Sequence, residues 1–316
     1  MRNAQDRPGQ DRIGLSRALF PEAAARLDAA LARFGRGSEA GSAGTGADFD
    51  GDFDAALDAE AALRFSGIGL SAVAGTSGGA VLQRAFALAG EATRELLGLP
   101  GLALPEPEAF EAVGYDWPRY AEMLEADPRL MPVPAPFGLG PDAWSRAFVR
   151  AAGLKGAVYA SVESDGDGGS EPGDGPFVLS TEVRREFAVL DAVPAGSPVV
   201  VTAPLAEGSR ASIAQARPAT AWILRLVPAE PEPELLGLNH RHGGPHVALP
   251  EMLMLQLMRA VAGLPPLDER SFTWLAGELA GGRLAARHVF DAGTIRITAR
   301  ETGSQGPHLG ARPPRS

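Results

Sequence analysis

Cysteine is absent from the 316-residue sequence, and lysine is almost absent. Without cysteine there are no disulfides, no thiolate metal sites and no thiol nucleophile. The absence also fits a reducing compartment such as the cytoplasm. Of the 29 basic residues only Lys155 is a lysine, which together with abundant Ala, Gly and Pro is typical of a high-GC bacterial genome.

Long apolar runs and basic clusters are missing as well. No stretch approaches 18 uninterrupted apolar residues, and the first residues lack the apolar core of a signal peptide, so we expect a soluble, cytoplasmic protein with no membrane span. The net charge is −10 and no cluster of arginines with interleaved aromatics occurs. Nucleic acid is therefore not an expected partner. A second protein, or another copy of the chain in a homo-oligomer, remains as a partner class.

The first half of the sequence has mainly helical patterns. Residues 80–97 predict one helix that Gly98 ends, and Asp116 predicts the N-cap of another. Residues 131–140 have proline at alternate positions, which predicts an extended or polyproline-like segment that serves as a spacer or lies on the surface.

Beyond Lys155 the pattern changes to that of strands. Runs of β-branched and aromatic residues bounded by Gly, Pro, Asp and Ser predict strands within 156–163, 176–183, 196–205 and 219–228. Residues 286–301 predict a hairpin. In its second strand Ile295 and Ile297 share one face, while Arg296 and Arg300 share the other, the pattern of a half-buried strand.

Two helices are predicted before this hairpin. In the first, Pro250 and Glu251 suit a helix start, and residues 252–262 are apolar on almost every face, as in a buried helix. The second is expected to start at Asp268. The order of helices and then strands predicts an α+β fold: a mainly helical N-terminal half packed on an antiparallel or mixed sheet, with two helices before a C-terminal hairpin.

The predicted organisation has four parts. Residues 1–54 form a polar tail, a short helix and a Gly/Asp-rich linker. A mainly helical region follows over 55–153, an α+β region over 154–303 and a loose tail over 304–316. An alternative is one domain over 55–303.

Three of the five histidines lie close together just before the apolar helix. His240 and His242 project from one face of an extended segment, and the turn at 243–245 brings His246 back toward them. Three imidazoles can hold a divalent metal such as zinc and leave a fourth coordination position open. The alternative is a polar loop whose histidines bind backbone groups or face water.

A second candidate site is the sequence Gly75-Thr76-Ser77-Gly78-Gly79. A strand, a tight glycine turn and a helix are the context in which a GxSxG serine is exposed as a nucleophile, and the apolar run before Gly75 predicts that strand. The sequence resembles the nucleophile loop of the patatin-like acyl hydrolases. That resemblance implies a Ser–Asp dyad with Ser77 as nucleophile and Asp167, in an Asp-Gly-Gly sequence, as its partner. The alternative is a tight turn before a close-packed helix, with Ser77 as the cap.

Three functions fit these residues. The leading hypothesis is a non-catalytic interaction or regulatory module, because neither catalytic set is complete. The others are an acyl hydrolase that uses Ser77 and a metal-dependent enzyme that uses His240, His242 and His246.

Overall fold

The structure, a computed structural model, describes residues 68–160, 175–202, 220–237 and 244–316. The chain divides into two compact units, Met1–Asp54 and Ala55–Ser316, and every described residue belongs to the second. Helices and both antiparallel and mixed sheets make up this unit, so the predicted α+β fold is confirmed.

The described residues contain helices both before and after the first strand of the chain. After a 3-10 helix (Ile68–Val73) come α1 (Ser77–Glu91, followed by a π-helical turn over Ala92–Leu97), α2 (Pro107–Ala112), α3 (Trp117–Ala126), α4 (Pro141–Ala152), α5 (Thr181–Arg185), α6 (Phe187–Leu190) and α7 (Leu249–Val261). The predicted ends at Gly98 and Asp116 are confirmed. Gly98 adopts the left-handed conformation that favours glycine, and the Asp116 carboxylate accepts a hydrogen bond from the Arg119 amide. Among the described residues, no helix is long and apolar enough to span a membrane.

The strands form two sheets. They are β1 (Leu130–Phe137), β2 (Phe177–Leu179), β3 (Val200–Val201), β4 (Ala221–Pro228), β5 (Glu234–Leu235), β6 (Phe272–Trp274), β7 (Leu284–Asp291), β8 (Thr294–Glu301) and β9 (Leu309–Ala311). The first sheet has the order β1-β4-β3 and is antiparallel. The second has six strands in the order β2-β8-β7-β6-β9-β5 and is mixed.

The proline-rich segment forms strand β1 at the edge of the first sheet. The three prolines of β1 each face a residue of β4: Pro132 faces Leu226, Pro134 faces Leu224 and Pro136 faces Trp222. The other edge of β4 pairs with β3. Alternate residues of a strand turn their N–H groups toward the same side, so the three missing donors all fall on the outer edge. The predicted extended conformation is confirmed, but β1 is nearly all buried and is not a surface spacer.

Helix α7 lies in the centre of the core. All residues from Leu249 to Met258 are buried, as its nearly continuous apolar sequence predicts. Helices of the first half and strands of both sheets contribute to the same large apolar cluster. The predicted boundary between 153 and 154 therefore does not separate two cores.

The predicted second helix after α7 is wrong. Asp268 has a positive φ of 65° and a buried side chain, so it cannot cap a helix. Residues Phe272–Trp274 instead form β6, in which Thr273 pairs with His288. An apolar segment this short fits a helix or a strand equally well, and pairing with β7 decides between them.

The predicted loose tail over 304–316 is also wrong. Leu309–Ala311 form β9, which lies between β5 and β6. Arg315 forms a backbone bridge with Leu226 of β4, and Arg312 is fully buried. Arginines are normally exposed, and Arg312 is buried because its guanidinium finds partners in the core.

Two predicted strands differ from the structure within the described residues. The described part of 156–163, residues 156–160, contains no strand. In 176–183, the strand ends at Leu179 because the Ser180 hydroxyl accepts a hydrogen bond from the Val183 amide at the start of α5.

Candidate functional site

Ser77 is the first residue of α1, and a 3-10 helix precedes it where a strand was expected. Leu70 and Val73 are buried at a spacing of three residues, which matches the repeat of a 3-10 helix. Gly75 supplies the positive φ of the turn (86°), and Thr76 is the N-cap, with its hydroxyl accepting from the Gly79 amide at 2.9 Å. The predicted turn and helix start are present, but the cap is Thr76 and not Ser77.

The glycines of this turn are required by close packing. A Cβ on Gly78 would collide with the backbone of Ala121 in α3, and a Cβ on Gly79 would collide with the Val73 carbonyl. The motif therefore lets α1 approach α3 and its own preceding turn. This role accounts for both glycines without reference to a nucleophile.

The side chain bound to Ser77 is Glu125 at the end of α3. The Ser77 hydroxyl donates to Glu125 Oε1 at 3.1 Å, and the Gly78 amide donates to the same oxygen at 3.2 Å. In α/β-hydrolases the amide after the nucleophile stabilises the oxyanion. Here that amide already binds a carboxylate, whose charge suits the positive end of α1.

The other predicted site residues are only partly described. Asp167, His240 and His242 lie outside the described residues. His246 is buried one residue before Val247, which forms a bridge with Leu275. Among the residues that the structure describes, no group of three or more His, Cys, Asp or Glu side chains could hold a metal ion. The Ser77–Asp167 pair and the three-histidine site stay predictions.

A fully buried polar cluster lies between α7 and the second sheet. His288 Nδ1 is 2.8 Å from Asp268 Oδ2, and His288 Nε2 is 3.2 Å from the side-chain nitrogen Nε2 of Gln256. Arg312 donates to Asp268 Oδ1 at 2.5 Å and to Thr273 Oγ1 at 3.2 Å. Burial alone would raise the pKa of Asp268, but the hydrogen bond from His288 and the charge of Arg312 hold it below its usual value.

This cluster joins the two sheets. Arg312 also donates to the carbonyl of Pro228, the last residue of β4, and to those of Glu230 and Pro231 just after it, while His288 belongs to β7. The Asp–His pair resembles half of a catalytic triad, but all of its side chains are buried and its polar atoms bind one another. We assign the cluster a structural role. No local pattern predicts it, since Asp268 and Arg312 are 44 residues apart.

A second buried ion pair holds α7 against β4. Arg225 Nε and Nη2 donate to the two oxygens of Glu251 at 2.6 and 2.5 Å. Glu251 also accepts from the Ala248 amide at 2.7 Å, which satisfies the helix N-terminus. The sequence predicted Glu251 as a residue of the helix start but not its partner.

A pocket of about 420 Å³ opens beside the start of α4, a volume within the range of small-molecule sites. Asp191 lies in it and accepts hydrogen bonds from the Gly138 and Gly140 amides, both at 2.9 Å. Burial raises the pKa of Asp191, and the two amides partly oppose that effect. The carboxylate therefore serves to hold the turn before α4.

A further candidate is one face of the β7–β8 hairpin, where Arg300 is exposed and Arg287 and Arg296 are half-buried. Arg287 lies opposite Thr298, Arg296 opposite Val289, and Arg300 opposite Ala285. Residues paired across strands point to the same face, so the three arginines share one face. We call Arg287, Arg296 and Arg300 the arginine face.

The charge of this face is poorly neutralised among the described residues. Arg287 stacks on the Phe272 ring, 4.0 Å from its centroid, and donates to Thr298 Oγ1 at 3.0 Å. Neither Arg287 nor Arg300 forms an ion pair within the described ranges. Arg296 Nε lies 3.3 Å from Asp291 Oδ2, but that nitrogen forms no hydrogen bond.

Comparison of the chain with models of protein families, with curated proteins and with solved structures finds no match. The resemblance to patatin-like acyl hydrolases therefore rests on the loop around Ser77 and the Asp-Gly-Gly sequence at Asp167 alone.

Proposed function

We propose that the protein is a non-catalytic interaction module that binds an acidic segment of a partner protein through the arginine face. The observation that carries the proposal is the presence of three same-face arginines that have one carboxylate contact within the described ranges, in a chain of net charge −10. A local positive surface on an acidic protein attracts acidic ligands, while the rest of the protein carries net negative charge and repels them.

The chemistry of the side chains favours carboxylates. A guanidinium donates two parallel hydrogen bonds to a carboxylate, which a lysine ammonium cannot do. Burial lowers the pKa of Arg287, and the charge of Arg300 lowers it further. A bound anion would offset both effects, because it supplies negative charge next to the guanidinium.

Anisotropy of a fluorescein-labelled oligoglutamate peptide tests the proposal. We expect binding at low salt that weakens as salt rises. Replacing Arg287, Arg296 and Arg300 by Gln should weaken binding by roughly 3- to 150-fold, since each exposed charge pair contributes ~0.2–1 kcal/mol. Arg84→Gln is the control for each single Arg→Gln change: it removes one positive charge from an exposed position on α1 and should leave binding unchanged.

Two results would overturn the proposal. One is equal peptide affinity for the wild-type protein and the triple variant. The other is the absence of peptide binding; tight, face-dependent binding of a single-stranded oligonucleotide would then make nucleic acid the ligand.

A further inference from the structure

We infer that the arginine face takes an extended peptide with Asp or Glu at alternate positions, and that the central carboxylate binds Arg287. This inference rests on the proposed function and names the shape of the partner segment. It comes from the register of β7 and β8 and from the contacts of Arg287.

The register spaces the arginines evenly. Arg296 faces Val289, which is two residues beyond Arg287 on β7, and Arg300 faces Ala285, two residues before it. Along the hairpin the order is therefore Arg296, Arg287 and Arg300, with a step of two residues each time. Two residues of a strand span about 6.7 Å.

An extended peptide has the same spacing. Its residues i, i+2 and i+4 share one face and are also about 6.7 Å apart. Three carboxylates at alternate positions therefore meet the three guanidinium groups in order. Three acids in succession cannot do so, because every second one points away from the face.

The contacts of Arg287 favour a thin ligand. Its guanidinium is half-buried and lies over the Phe272 ring, so it stays close to the sheet and does not project into solvent. An extended chain can approach the sheet closely, whereas a helix is about 10–12 Å across with its side chains. Arg287 is also the best-oriented member, because Phe272 and Thr298 both fix its side chain.

Three labelled nonapeptides of identical composition test the inference, each with three aspartates among serines and glycines. One has aspartates at alternate positions, one has them in succession, and one has them at every fourth position as a helix would require. We expect the alternating peptide to bind roughly fivefold more tightly than either of the others, the effect of about one exposed charge pair.

Variants separate the central arginine from the flanking ones. Arg287→Lys keeps the charge but loses the paired donors and the stacking, and it should remove most of the preference for the alternating peptide. Arg300→Gln changes an exposed side chain, so the variant should fold normally and bind the alternating peptide more weakly than the wild-type protein. Arg84→Gln is the control and should bind this peptide as the wild-type protein does. Circular dichroism confirms folding in each case.

The outcomes distinguish the two proposals. Equal affinity for all three peptides, lost in the triple Gln variant, overturns the inference and leaves the proposed function standing. Tighter binding of the fourth-position peptide overturns it in favour of a helical partner. No binding of any peptide overturns the proposed function itself.

Discussion

Arg312 and Asp268 form an ion pair in which both side chains are fully buried and Nη2 lies 2.5 Å from Oδ1. Arg312 follows β9, whereas Asp268 lies between α7 and β6. Arg312 also donates to the carbonyls of Pro228, Glu230 and Pro231 at the end of β4, so the pair links the two sheets. Breaking such a pair leaves a buried charge without a partner, which costs far more than losing an exposed pair.

Arg312→Met should therefore destabilise the protein by roughly 3–5 kcal/mol. Arg129→Met is the control, since Arg129 is exposed and pairs with Asp127 at 2.8 Å. The control should cost at most about 1 kcal/mol. Urea unfolding followed by circular dichroism measures both values, and equal losses would contradict a structural role for the Asp268–Arg312 pair.

Alkaline pH should weaken the fold through Tyr115. Burial raises the pKa of Tyr115 from 10.0 to about 12, and its hydroxyl donates to the Pro198 carbonyl while accepting from the Leu224 amide. The folded state keeps this proton after the unfolded state has lost it, so the contribution is full below pH 10 and is lost as pH rises toward 12.

Tyr115→Phe should cost about 1–3 kcal/mol at pH 7, because it leaves two buried backbone groups without their partner. Its stability should then fall less steeply than that of the wild-type protein between pH 10 and pH 12. Urea unfolding at several pH values gives both slopes. Parallel slopes would show that Tyr115 does not titrate as described.

Gly78→Ala should destabilise α1, since the new Cβ would collide with the Ala121 backbone and push α1 from α3. We expect a loss of roughly 1–3 kcal/mol, the usual cost of overpacking. Gly90→Ala in the same helix is the control, because its Cβ would meet nothing closer than Leu104 Cδ2 at 3.9 Å. That change should stabilise the helix by about 0.5–1 kcal/mol. Thermal unfolding compares them, and a similar effect at both positions would contradict close packing at Gly78.

A test of Ser77 distinguishes the interaction-module hypothesis from the acyl-hydrolase hypothesis. With its hydroxyl and the following amide bound to Glu125, we expect no hydrolysis of p-nitrophenyl acyl esters above background. Ser77→Ala should cost at most about 1 kcal/mol, because the lost hydrogen bond is exposed. Ester hydrolysis that disappears in Ser77→Ala would instead establish the hydrolase hypothesis.

Local sequence patterns predicted the elements whose signals are contained in a short segment. The cap at Asp116, the end at Gly98, the buried helix that starts near Pro250 and the alternating faces of β8 are all confirmed. In each case a cap, a glycine or an apolar repeat acts within a few residues, so neighbouring residues are enough to predict the structure.

Tertiary structure decided the features that join distant residues. Arg296 and Arg300 share a face by the alternation of one strand, but Arg287 joins them only through the register of β7 against β8. The partners of Asp268, Arg312 and Ser77 come from other parts of the chain, and Phe272–Trp274 became a strand because β7 and β9 pair with it. Caps, glycines and apolar repeats determined the elements whose signals lie within a short segment, such as α7 and β8. Long-range pairing determined which polar groups meet, because a buried charge is stable only where the folded chain supplies its partner.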